Sequence, residues 1–157
     1  MKLPIFIDVA IILLISFFML KKKLNPLANF FIIMILEFLV TSYSSFLTVN
    51  LNLWKISDDV GLFIIYRIYV VIVIPFLYLL YFNIVLRSER QINKWIISAL
   101  FSGVLYVLEY CLKTWRVITY ENWNYWGSFI IHLLILSIVY ILLMFFHIQM
   151  KSERIEK

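Results

Sequence analysis

Polar residues along this chain gather in short joints between five apolar blocks, at about Pro4–Leu20, Leu27–Val49, Val60–Leu86, Trp95–Leu112 and Gly127–Met150. A helix crosses a bilayer with roughly 20 predominantly apolar residues, so each block predicts one membrane-spanning helix. The expected fold is all-α: a single polytopic domain over residues 1–157 with five transmembrane helices. The joints carry matching signals. Asn25-Pro26 opens the second helix, where a first-turn proline loses no hydrogen bond. Ser57, Asp58 and Asp59 precede the third and offer a cap and negative charge at its positive dipole end. Pro75 predicts a kink within the third helix, which neighbouring helices can tolerate. The first block has one lysine before it, three after it and no small-residue cleavage pattern, so it reads as an uncleaved anchor.

Composition agrees with this pattern. Of 157 residues, 64% are hydrophobic and 18% aromatic, and only 3 Gly and 3 Pro are left for loops, which argues against a separate soluble domain. The net charge of +5 does not point to nucleic acid, because the cations sit in clusters beside apolar blocks and no soluble basic surface is available. A single cysteine, Cys111, excludes an internal disulfide and a CxxC site and reads as a packing residue.

Charge asymmetry predicts orientation. Lys21, Lys22, Lys23, Arg87, Arg90, Lys94, Lys151, Arg154 and Lys157 make nine cations on one side, against Lys2, Lys55, Lys113 and Arg116 as four on the other. The positive-inside rule then places the N-terminus outside and the C-terminus in the cytoplasm, as an odd number of spans allows.

The informative chemistry is the set of ionisable residues inside the blocks. Glu37 lies near the middle of LANFFIIMILEFLVTSYSSFLTV, where an ionisable group costs at least ~2.5 kcal/mol unless paired or protonated. Asp8, Arg67, Glu109 and His132 each lie about four to seven residues from the outer end of a helix, roughly 6–10 Å deep, and Glu37 lies roughly 15–18 Å deep. Glu37, Thr41, Ser44 and Thr48 share one helical face, as do Ser98, Ser102, Tyr106 and Glu109, and Ser128 pairs with His132. Arg67 cannot shed its charge, so it is expected to pair with Glu109, Glu37 or Asp8. Two readings stay open. One is an outward-facing polar site for a small polar or cationic ligand or a partner, roofed by Trp54, Trp115, Tyr120, Trp123, Tyr125 and Trp126. The other is a buried ion-pair network fixing helix register beneath an interfacial aromatic belt.

Serine-hydrolase, zincin, Walker and dinucleotide motifs are all missing from the sequence, so no cofactor is expected and a non-enzymatic role is favoured. Glu37, Glu109 and His132 are the residues a metal site would draw on, but a lone histidine with scattered carboxylates is a weak signal for one, and none is expected. Two alternatives remain: a proton- or cation-coupled permease subunit acting as a homo-oligomer or with another membrane protein, and an intramembrane enzyme using Glu37, Glu109 and His132. Size and span number match the tryptophan-rich sensory proteins, but their Pro- and Trp-rich first loop is replaced here by KKKLNP. NPLANFF (Asn25–Phe31), Asn50-Leu51, Pro75 in IVIPFLYL, WKISDD and WNYWGSF together resemble small five-span membrane proteins of spore-forming Gram-positive bacteria. That resemblance implies a multi-pass protein of the bacterial plasma membrane and carries over no catalytic residue.

Overall fold

The computed structural model describes residues 2–152, so Arg154 and Lys157, counted above for orientation, lie outside the described residues. Five helices are long and apolar enough to cross a membrane: α1 (Lys2–Met19), α2 (Pro26–Asn50), α3 (Val60–Val85), α4 (Gln91–Thr114) and α5 (Tyr125–Ser152). The all-α expectation holds, and the bounds fall within a few residues of the apolar blocks. The largest departure is at α4, whose helix continues back through the polar Gln91–Lys94 turn.

Local chemistry explains the helix ends. Asn25 caps α2, its Oδ1 accepting from Ala28 N–H at 2.7 Å, with Pro26 in the first turn. Asp59 caps α3 in the same way through Leu62 N–H at 2.9 Å. Pro75 is absorbed by a π-helical turn, Tyr69–Val73, closed by Ile74 N–H donating to the Tyr69 carbonyl five residues back. The wider turn accommodates a residue that has no N–H to give and a ring that would crowd the preceding turn. The C-terminus of α4 is a Schellman motif: Val117 N–H reaches Leu112 O and Arg116 N–H reaches Lys113 O, with Arg116 left-handed at φ 57°.

α3 is the central helix. It packs on α1, α2 and α4, while α5 leans on α2 and only lightly on α4. Val73, Tyr78, Leu79 and Asn83 of α3 are fully buried. On the outside, Phe18, Phe30, Phe38, Trp95, Leu100 and Phe145 are each more than 60% exposed, an apolar surface too continuous for a monomer in water.

The helix ends are tied in two different ways. At one end Asn83 Nδ2 donates to Asn29 Oδ1 (2.7 Å) and Leu79 O (3.0 Å), its Oδ1 accepts from Leu24 N–H, and Asn29 Nδ2 donates to Leu24 O and Asn25 O. This amide latch fastens the α1–α2 joint to α3 with every amide group used. At the other end, the joints between α2 and α3 and between α4 and α5 pair as an antiparallel ribbon, β1 (Trp54–Ile56) with β2 (Ile118–Tyr120), Lys55 opposite Thr119. Glu121 N–H to Leu53 O and Ser57 N–H to Val117 O extend the ribbon on both sides.

Candidate functional site

The ribbon holds its two inward aromatics, Trp54 and Tyr120, stacked at 5.9 Å over the interhelical space. Register does this: residues directly opposite in a ribbon point to the same face, and Trp54 is opposite Tyr120. Beneath them lies Glu109 of α4, only 3% exposed. Its Oε1 accepts from the Tyr120 hydroxyl and from the Ser128 hydroxyl of α5. Ser128 is in turn held by Trp123 Nε1–H at 2.8 Å. A Cβ added at Gly127 would stand 2.6 Å from the Trp123 ring, so this close packing of the indole on α5 requires glycine.

His132 sits one turn beyond Ser128 and is 8% exposed. Its Nε2 is 4.0 Å from Glu109 Oε2, and its Nδ1 is 2.7 Å from the Tyr78 hydroxyl of α3. Tyr78 can donate to Nδ1, which leaves the proton on Nε2 facing Glu109, or it can turn to the His132 carbonyl at 3.4 Å and accept from Nδ1–H. The result is a file of polar groups, Trp123–Ser128–Glu109–His132–Tyr78, running inward from the ribbon. It ends at Tyr78, whose ring meets Phe101 edge-on at 5.0 Å. The Tyr43 hydroxyl lies beside Ser128 and Glu109 yet makes no hydrogen bond of normal geometry, and Trp54 Nε1 is likewise enclosed without a partner among the described residues.

The cleft that reaches Glu109 and His132 is lined also by Ser102, Tyr106, Tyr125 and Phe129 and has a volume of about 20 Å³. That admits a water molecule and no organic ligand. At its mouth the Lys113 ammonium stands 4.6 Å from the Tyr120 ring and 4.8 Å from the Tyr125 ring. Burial, reinforced by the neighbouring Glu109 charge, pushes the Tyr120 phenol well above its ordinary range, so it stays a donor at any physiological pH.

Of the five ionisable sequence candidates, Glu109 and His132 meet here. Arg67 is exposed on α3, its guanidinium 5.1 Å from the Phe63 ring, and it forms no ion pair with Glu109, Glu37 or Asp8 among the described residues. The expected pairing fails because Arg67 faces outward near a helix end, where a long cationic side chain reaches the interface along its own stem. Asp8 is exposed on α1 and outside the network. Glu37 is half-buried on α2 and does not line the cleft with Glu109 and His132, so the three-residue catalytic arrangement is not assembled. On its face only Ser44 turns fully inward, bonding Tyr66. Among the aromatics, Tyr120 and Trp123 enter the network, while Trp115 packs edge-on against Phe6 and Trp126 is 75% exposed. Tyr78 and Tyr43 were missed, since tyrosines inside apolar blocks look like any other core aromatic. No three His, Cys, Asp or Glu side chains converge on a metal position among the described residues. Comparison of the chain with family models, curated proteins and solved structures finds no match.

Proposed function

We propose that the chain is a non-enzymatic, multi-pass protein of a bacterial plasma membrane whose ribbon-covered polar centre takes up a proton shared between Glu109 and His132. The observation that carries this reading is the setting of Glu109: buried, cradled by two hydroxyls, and 4.0 Å from a histidine, with no Lys or Arg within ion-pair distance among the described residues. Lys113, one turn further along α4, acts on Glu109 from beyond ion-pair distance, so this carboxylate, taken out of water, still depends on a proton or an incoming cation for full charge balance. A cleft of water size suits the proton. The file of polar groups ends at Tyr78, which supports a one-sided site over a permease path crossing the membrane.

In this reading the ribbon faces outward. Lys21, Lys22, Lys23, Arg87, Arg90, Lys94 and Lys151 lie at the opposite end, with Glu89 the single acid there among the described residues, which supports a cytoplasmic location for that end. A second reading, a small cation as ligand, is favoured by Lys113, whose ammonium on two tyrosine rings is the pose such a ligand would take.

Infrared difference spectroscopy of the protein in lipid, from about pH 4 to 9, tests the proposal. A carboxyl band that changes with pH in the native chain, disappears in Glu109→Gln and shifts its midpoint in His132→Gln is the expected result. A spectrum without any Glu109-dependent change across that range overturns it.

A further inference from the structure

At the end opposite the ribbon, α4 and α5 stand apart and leave a cleft of about 380 Å³ against α3. Its walls are Phe82, Trp95, Leu136 and Tyr140, and Gln91 and Lys94 lie at its polar end. We propose that this cleft binds one anionic phospholipid, its phosphate on Lys94 and an acyl chain along the apolar walls.

Three observations carry the assignment. The volume lies within the ~300–1,000 Å³ typical of ligand sites, unlike the water-sized cleft under the ribbon. The cleft lies between helices at membrane-spanning residues, so a ligand reaches its apolar part through the bilayer. Its interior offers little to a polar ligand: the Ser98 hydroxyl donates to Lys94 O and meets Tyr81, and the Ser137 hydroxyl donates to Leu133 O.

Charge then selects the headgroup. Lys94 is half-buried and makes no hydrogen bond or ion pair through its ammonium among the described residues. Arg87 and Arg90 stand in the same joint, with Glu89 the single acid there. A basic pocket between helices at headgroup depth is the arrangement that retains anionic lipids. Gln91, one turn before Lys94, adds an amide donor to the same edge.

Native mass spectrometry of the full chain, extracted from bilayers of equimolar phosphatidylglycerol and phosphatidylcholine, tests this. The native protein is expected to retain phosphatidylglycerol in excess. Lys94→Gln should lower the retained ratio about fivefold, as loss of one lysine–phosphate contact implies. Ser137→Phe, which fills the cleft and leaves Lys94 in place, should lose both lipids. Equal retention of the two lipids, or a ratio unchanged in Lys94→Gln, overturns the proposal even if Ser137→Phe fails to fold. A dimer that excludes lipid also overturns it, because the cleft would then belong to a second copy.

Discussion

Replacing Glu109 separates the work of its hydroxyl cradle from that of its charge. In Glu109→Ala the Tyr120 and Ser128 hydroxyls both lose their acceptor. Each buried polar group left unsatisfied costs about 1–3 kcal/mol, so the variant should lose about 2–6 kcal/mol. Glu109→Gln keeps a side-chain oxygen in place, and each bond falls from the charge-assisted range of about 1.5–3 kcal/mol to about 0.5–1.5 kcal/mol. Both variants also remove a buried charge whose desolvation costs several kcal/mol, a gain common to the two that leaves the retained acceptor oxygen as their difference. The glutamine variant should therefore stay within about 2 kcal/mol of the native protein at neutral pH, and well above the alanine variant. Unfolding in detergent, followed by helical circular dichroism, measures both. If glutamine costs as much as alanine, the ion pair with His132 rather than the hydroxyl cradle holds the site, and the reasoning fails.

Gly127→Ala drives a Cβ into the Trp123 ring, which its bond to Ser128 prevents from yielding, so about 1–3 kcal/mol should be lost and Trp123 emission should shift relative to Trp123→Phe controls. Asn83→Ala strips Leu24 N–H and Asn29 Oδ1 of their partner and should cost about 1–3 kcal/mol by the same unfolding assay. Arg116→Gly should raise stability by up to about 1 kcal/mol, because glycine adopts the left-handed turn without strain. The raised phenol of Tyr120 means the folded state holds this proton more tightly than the unfolded chain; stability should fall as pH climbs past about 10, and Tyr120→Phe should flatten that decline.

The spans were legible because bilayer crossing is a one-dimensional property: enough apolar residues in a row, ended by Asn25-Pro26 or Asp59. Direction around the helix was not. In a membrane protein the lipid-facing and core-facing sides are both apolar, so nothing in VGLFIIYRIYVV distinguishes exposed Arg67 and Val71 from buried Tyr66 and Tyr69. Depth alone brought Arg67, Asp8, Glu109 and His132 into one layer, and azimuth removed the first two. The ribbon was illegible for another reason: strands of three residues, separated by more than sixty in sequence, have no local period to read. Ser128 and Glu109 were visible as polar faces, yet the Asn29–Asn83 latch was not, since each asparagine stands alone in its own block.

The two ends divide the labour of the molecule by the kind of polar group each holds. Asn29 and Asn83 are amides with every donor and acceptor used, and no proton can be added to them near neutrality; they fix one end of the bundle. The ribbon end holds a carboxylate, an imidazole and phenols, and two donors there, Tyr43 Oη and Trp54 Nε1, make no hydrogen bond of normal geometry among the described residues. A network with such donors in reserve can reorganise its bonds when a proton arrives, whereas a saturated one must break. The same ribbon carries Tyr120 onto Glu109 and Trp54 onto Tyr43 at a ring separation of 5.5 Å. A change of charge at Glu109 therefore acts directly on the contacts that hold the two ribbon joints together, and chemistry beneath the ribbon is coupled to the surface above it.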